Sequence, residues 1–369
     1  MTAKTSTSNY KPGMDIKYVQ EKYGLKNVIK LASNENPSGP SKKAIKEALK
    51  VIKTTNRYPE GSCKVLKSKL KKFLGKNFIN KKNIIIGNGS SEILELTARA
   101  YLGKGFESLF SKHSFIVYKI ISNSMQSKIV ESNVVKDKTG DYMNIDLLDM
   151  KNKITKKTRV IFIANPGNPI GKIIDYKDLE KFIKSTPKRI IIVLDEAYFE
   201  YAAYRGYKST LELLKKYKNL IITRSFSKIY ALAGHRIGYG IASSEIISRL
   251  NAKRQPFNVN SIAQTMAASS LNDKLFVKTS LASNETSRLT LISEFKKLKI
   301  FYIDTHTNFI TIYLGAKTKK IFEKLLSLGV ILRPLDNYGL KNFLRVTIGT
   351  KSECQKFVKM LKITMSQIS

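Results

Sequence analysis

The chain predicts an α/β fold built as two unequal bodies, and three observations carry that expectation. Between about residues 83 and 242, short apolar, β-branched runs alternate with amphipathic stretches, the pattern of a mainly parallel sheet covered by helices on both faces. Several runs stop abruptly at polar or glycine-rich segments, as at Asp195 and at Gly87-Asn88-Gly89. After Lys299 the alternation gives way to short strands mixed with two helices, which reads as a smaller α+β body.

Taken in order, a first helix is expected over 15–23, ended by Gly24. Ser41 caps a second, with Ala44, Ile45, Ala48, Leu49 and Ile52 at helical spacing. A third covers 63–74 and stops at Gly75. The strand ending at Gly87 runs through a glycine turn into a helix whose apolar side holds Ile93, Leu94, Leu96, Thr97 and Ala98. Val160 to Ala164 and Ile191 to Asp195 read as buried strands, since parallel strands buried on both faces are continuously apolar. Helices over 261–271 and 273–298 lead away from this body. Strands at 301–304, 308–313, 330–333 and 343–348, with helices at 317–328 and 352–368, make the small one. The expected division is an N-terminal arm over 1–35, a large domain over 36–270 and a small domain over 271–369.

A length of 369 residues fits about two domains with a substantial core. No apolar run approaches the roughly 20 residues that span a bilayer. Residues 1–8 are polar, lack an apolar signal core and read as a disordered leader. Cys63 and Cys354 are the only cysteines, and the three histidines are scattered, so neither a disulfide framework nor a metal site is expected, in keeping with a reducing cytoplasm. The net charge of +38 invites a nucleic-acid reading, but only 12 of the 66 basic residues are arginine and the lysines spread over the whole chain. With Ile and Asn also abundant, codon bias and a solvated lysine surface account for the charge. No specific nucleic-acid partner is expected, and the same positive field draws in anionic substrates.

The stretch that points to chemistry is Ser225-Phe226-Ser227-Lys228, followed eight residues after the lysine by Arg236 in a Gly-bracketed turn. A desolvated lysine amine becomes nucleophilic and forms Schiff bases with aldehydes, and an arginine nearby can hold a phosphate. Lys228 by itself also reads as one more surface lysine. Asp195, at the C-terminal edge of a buried strand, lies where open α/β sheets bind ligands, although an Asp after a strand also caps helices. The helix that starts after Gly89 aims free backbone N–H groups and its positive dipole end outward, a phosphate site formed by Gly89, Ser90 and Ser91.

These segments resemble, in order, the fold-type I pyridoxal-phosphate (PLP) aminotransferases, and most closely the histidinol-phosphate aminotransferase group. Segments 31–37, 57–60, 307–310, 330–333 and 344–350 resemble that group as well. The resemblance implies a mainly parallel seven-stranded sheet with 237–242 antiparallel, a small domain, and PLP in the cleft between them. It implies that Lys228 carries the cofactor and moves the proton, that Asp195 pairs with the ring nitrogen, and that Tyr198 and Asn168 donate to the ring's phenolic oxygen. Phe115 stacks on the ring, with core packing as its plainer reading. Ser225, Ser227 and Arg236 join the phosphate site, and Tyr58 reaches the phosphate of a partner subunit in a homodimer, unless it sits in a plain surface turn set by Pro59. Arg345 grips a substrate carboxylate. Arg333 takes a phosphate or the glutamate side chain, and Asn36, Tyr10 and Asn308 line the same pocket. The chain departs from the family pattern at Gly167, Ile170, Ser91 and Lys112. The substrates implied are histidinol phosphate and 2-oxoglutarate, with an aromatic amino acid aminotransferase and a threonine-phosphate decarboxylase as alternatives on the same scaffold.

Overall fold

The computed structural model describes residues 13–136 and 143–368, so the leader and Tyr10 lie outside the described residues. The large sheet has seven strands. They are β1 (Ile84–Gly87), β2 (Glu107–Ser111), β3 (Lys128–Ser132), β4 (Thr158–Ala164), β5 (Ile191–Asp195), β6 (Leu220–Ser225) and β7 (Gly238–Ile241). Their spatial order is β1-β7-β6-β5-β4-β2-β3. Neighbours among β3, β2, β4, β5 and β6 run parallel, and β7 is antiparallel to both β6 and β1. Alternate residues of the central strands feed opposite faces, as a two-residue period requires. Ile161, Ile163, Ile192, Leu194 and Ile222 pack into one apolar core, while Val160, Phe162, Val193 and Ile221 pack into the other.

The small sheet is antiparallel, with β8 (Phe301–Ile303), β9 (Phe309–Tyr313), β10 (Arg333–Pro334) and β11 (Phe343–Thr347) in the order β8-β9-β11-β10. It has its own core of Leu291, Phe295, Ile310, Leu344, Val346 and Phe357. The strand expected over 330–333 divides. Val330–Ile331 pairs in parallel with Ile29–Lys30 of the N-terminal segment, and Arg333–Pro334 pairs with β11. Pro334 has no N–H for a ladder, which suits the edge position it takes. Leu31 continues the connection by donating to Ile331 O and accepting from Thr347 N, so residues 32–36 are pinned beside the small sheet.

Local signals set the helix ends where expected. Asp15 accepts from the Lys17 and Tyr18 amides, Gly24 ends that helix at φ 63°, Ser41 accepts from the Ala44 amide, and Gly75 closes its helix at φ 62°. The helix Lys42–Val51 holds a surprise. Ala44 is its one buried residue, while Ile45, Leu49 and Ile52 face outward. Among the described residues no helix is long and apolar enough to cross a membrane.

Candidate active site

The C-terminal ends of β4, β5 and β6 open into a cavity of about 440 Å³. Its opposite wall comes from residues 32–35 and from β10 and β11 of the small sheet. The site therefore lies at the carboxyl edge of the parallel sheet, where the side chains that end the strands leave the core.

Asp195 forms the floor. Its carboxylate accepts from Tyr118 Oη and from Thr223 Oγ1, each at 3.0 Å. Burial pushes its carboxyl upward, while these hydrogen bonds and one from the Ala197 amide pull the other way. A cationic ring nitrogen beside it would offset the burial penalty. Tyr118 is stacked on Phe162 with centroids 5.0 Å apart and is buried. Phe115, just before the helix Ile116–Ser124, lines the cavity and meets Tyr118 edge-on at 5.8 Å.

Lys228 projects from the turn after β6, and its Nζ donates to Ser33 O at 3.3 Å. Burial lowers its pKa to about 8, helped by the positive charges of Arg345 and Arg236 and opposed by Glu35 and Asp195. Tyr198 accepts from Asn34 Nδ2 at 2.9 Å, and burial pushes its phenol up to about 12, so it stays a proton donor at neutral pH.

The start of the helix Ser90–Tyr101 forms one end of the cavity. Gly89 takes φ 83°, and a Cβ there would fall 2.6 Å from Arg236 Nη2, so the guanidinium lies directly on the turn. Gly238 on β7 serves the same approach. A Cβ there would collide with Ser90 N and reach within 2.8 Å of Gly89 C. Arg236 itself adopts the left-handed conformation at φ 54°, uncommon for a side chain of its size. Its Nη1 donates to Ala233 O at 3.0 Å and reaches Ser227 Oγ at 3.5 Å. Ser225 and Ser227 also line this end. Free helix amides, Ser225, Ser227 and Arg236 make a cradle suited to a phosphate.

Across the cavity, Arg345 and Arg333 are direct cross-strand neighbours, and both are buried and line the cavity. Like charges opposite each other on a sheet repel, and an anion bound between or beside them would offset that repulsion. Arg345 donates through Nη1 to Asn168 Oδ1 at 2.6 Å and through Nη2 to Ala32 O at 2.8 Å, while its buried Nε has no hydrogen-bond partner among the described residues. The first contact fixes Asn168 with its carbonyl toward Arg345, leaving the amide NH₂ as a donor.

Lys228, Asp195, Tyr198, Asn168, Phe115, Ser90, Ser91, Ser225, Ser227, Arg236, Arg333 and Arg345 thus share one cavity. Asn36 and Asn308 do not line it. Asn36 donates to Ile229 O at 2.8 Å, and Asn308 donates to Asn34 O at 3.0 Å, so both brace the loop that presents Asn34. Tyr58 is also outside this cavity, 83% exposed and stacked on Phe257 at 4.9 Å. Sequence reasoning missed Asn34, Tyr118 and Tyr338. Asn34 and Asn36 look alike in the sequence, and Tyr118 reads as core three residues after Phe115. Tyr338 lines the cavity from a short turn with no motif of its own.

The family model described as aminotransferase class I and II matches residues 26–361. A protein of Hydrogenovibrio crunogenus named histidinol-phosphate aminotransferase 2 is 41% identical over 353 residues, 95% of this chain and 92% of its own length. A protein of Methylococcus capsulatus with the same name is 39% identical over 352 residues, covering 95% of this chain and 94% of its own. The crystal structure of histidinol-phosphate aminotransferase from Sinorhizobium meliloti, in complex with pyridoxal-5'-phosphate, shares the fold. Its TM-score is 0.87 over 100% of this chain and 99% of that one, at 22% identity.

Proposed function

The chain belongs to the class I and II aminotransferases, and from that premise we propose that it transfers an amino group from histidinol phosphate to 2-oxoglutarate. The products are imidazole acetol phosphate and L-glutamate, a step of histidine biosynthesis, and PLP is the cofactor. The observation that carries the reading is that Arg333 and Arg345 face each other across adjacent strands and line the cavity that also holds Lys228 and Asp195. Two buried guanidinium groups suit one substrate with a phosphate and another with two carboxylates.

When bound, PLP supplies an aldehyde that condenses with amines and a ring that accepts an electron pair. The protein's own groups do the rest. The Ser90 and Ser91 amides, Ser225, Ser227 and Arg236 would hold the phosphate. Asp195 would hold a proton on the ring nitrogen, while Tyr198 Oη and Asn168 Nδ2 would donate to the phenolic oxygen. Phe115 would pack against the ring. Lys228 Nζ, neutral in part near pH 8, is the base placed to take a proton from the donor's Cα and to return it. Arg345 binds the α-carboxylate of glutamate or 2-oxoglutarate, and Arg333 reads the donor's phosphate.

The active species we propose is a homodimer in which Tyr58 completes the partner's phosphate site. Supporting it, Tyr58, Ile45, Leu49 and Val65 are all exposed. Residues around the last three border a groove between the helices Lys42–Val51, Lys64–Leu74 and Ser261–Ser270. Light scattering of the purified protein that returns a monomer of full activity removes this part of the reading. A cytoplasmic location fits the two buried, unpaired cysteines.

The test is an amino-donor panel of histidinol phosphate, histidinol, phenylalanine, tyrosine, aspartate and threonine phosphate, each with 2-oxoglutarate. A charge-assisted hydrogen bond is worth about 1.5–3 kcal/mol, and about 1.4 kcal/mol is tenfold. Histidinol phosphate is therefore expected to lead phenylalanine by at least about tenfold in kcat/KM, with Arg333→Ala shrinking the lead. Equal or faster turnover of phenylalanine reassigns the donor while leaving the chemistry in place.

A further inference from the structure

Behind the cavity floor lies a second row of side chains with no part in the reading above. Ala164, Asp195 and Thr223 are in register on β4, β5 and β6. The ladder continues one residue further, with Asn165 N donating to Asp195 O and Glu196 N to Thr223 O. Successive strand residues point to opposite faces. Accordingly Ala164, Asp195 and Ser225 line the cavity, whereas Asn165, Glu196 and Arg224 do not.

These hidden residues form one connected chain. Glu196 Oε2 accepts from Arg224 Nε at 2.9 Å and lies 2.8 Å from Nη2. Glu196 Oε1 accepts from Thr210 Oγ1 at 2.6 Å and from Tyr207 Oη at 3.2 Å. Tyr207 Oη accepts in turn from Asn165 Nδ2 at 3.0 Å, and Asn165 Oδ1 accepts from the Ile174 amide at 2.9 Å. The guanidinium of Arg224 sits 3.4 Å from the centre of the Phe199 ring. The side chains of Arg224 and Glu196 are 2% and 0% exposed.

Burying an ion pair this deeply gains little net stability, because desolvation cancels much of the attraction. What it does supply is fixed geometry. We propose that Glu196 and Arg224, linked through Tyr207 to Asn165, are positioning residues that lock the ends of three strands in one arrangement. The locked groups are Asp195, next to Glu196, then Ser225, next to Arg224, and the loop from Asn165 to Asn168. The inference rests on the aminotransferase reading, since these are the residues assigned to ring nitrogen, phosphate and phenolic oxygen.

The experiment compares the full-length protein with Tyr207→Phe and Glu196→Gln, with Ile247→Val as a core truncation remote from the row. PLP affinity, the visible circular dichroism of the bound cofactor, kcat and KM for 2-oxoglutarate, and thermal stability are measured on each. Tyr207→Phe keeps the ring and removes only the link, so it folds even where Glu196→Gln does not. The expected result for Tyr207→Phe is a dissociation constant for PLP about tenfold higher, altered dichroism, lower kcat and unchanged KM for 2-oxoglutarate. Ile247→Val changes stability alone. Wild-type affinity and dichroism in Tyr207→Phe overturn the positioning role. A wild-type protein that takes up no PLP overturns the aminotransferase reading together with it.

Discussion

The two walls of the cavity are built differently. The strand-end wall, with Asp195, Asn168, Ser225 and the turn before Ser90, grows directly out of the parallel sheet, and both oxygens of the Asp195 carboxylate already accept hydrogen bonds. The opposite wall, with Asn34, Arg333, Tyr338 and Arg345, is assembled from a pinned loop, two short antiparallel strands and the turn between them that carries Tyr338. It concentrates positive charge and, among the described residues, leaves Arg345 Nε buried without a hydrogen-bond partner. On the first wall Asp195 is already held by protein hydrogen bonds, whereas the second keeps bonding capacity for a ligand at Arg345 Nε. That contrast suits a rigid cofactor platform facing a wall that must accept two different substrates in turn.

The largest expected effect is on the platform side. Lys228→Ala removes the group proposed to move the proton, and turnover should fall by about 10⁴-fold, while PLP should still bind through the phosphate cradle. Borohydride reduction of the loaded wild-type protein, followed by peptide mapping, should place the phosphopyridoxyl label on Lys228, and a label on any other lysine removes the assignment.

Arg345→Ala tests the other wall. Loss of a two-pronged carboxylate contact should raise KM for 2-oxoglutarate by about 10²-fold, with a smaller fall in kcat because Asn168 loses its anchor. Steady-state kinetics separate the two. If kcat falls as far as in the lysine variant and KM does not move, the division of labour between the walls is wrong.

Gly238→Ala probes how closely the platform is packed. The new methyl must displace the Gly89–Ser90 turn, so a loss of about 1–3 kcal/mol is expected, read by denaturant unfolding, together with weaker PLP binding. Alanine at Gly103, where nothing lies near a Cβ and φ is ordinary, is the harmless contrast.

The smallest effect is a pH dependence of the cofactor-free protein. The Lys228 amine drops from 10.5 to about 8 on folding. Between those values the unfolded chain binds more protons than the folded one, so stability rises with pH across that window. Below pH 8 the buried charge costs its full amount. Lys228→Met should therefore be more heat-stable than wild type below pH 8, and the gap should narrow as pH climbs toward 10.5. A gap that stays constant across this range means the lysine is not desolvated.

Much of the platform wall is local in the sequence. An apolar run fixes each central strand, and its last polar residue leaves the core at the sheet edge, so Asp195, Ser225 and Lys228 could be placed from neighbours alone. Helix ends at Gly24 and Gly75 follow from the one backbone conformation that favours glycine. The opposite wall is not local. Asn34 is selected over Asn36 by contacts to Tyr198 and Thr347, 164 and 313 residues away. The division of 330–333 between two sheets depends on partners at Ile29 and Arg345. The outward turn of Ile45, Leu49 and Ile52 is likewise invisible to periodicity, which finds an apolar stripe without saying what covers it. The sequence by itself therefore determined the α/β order and the ends of the central strands, through short-range sterics and hydrophobic pattern. Only the tertiary structure decided which polar groups meet across the cleft, because those pairings are chosen by packing between segments that the chain holds hundreds of residues apart.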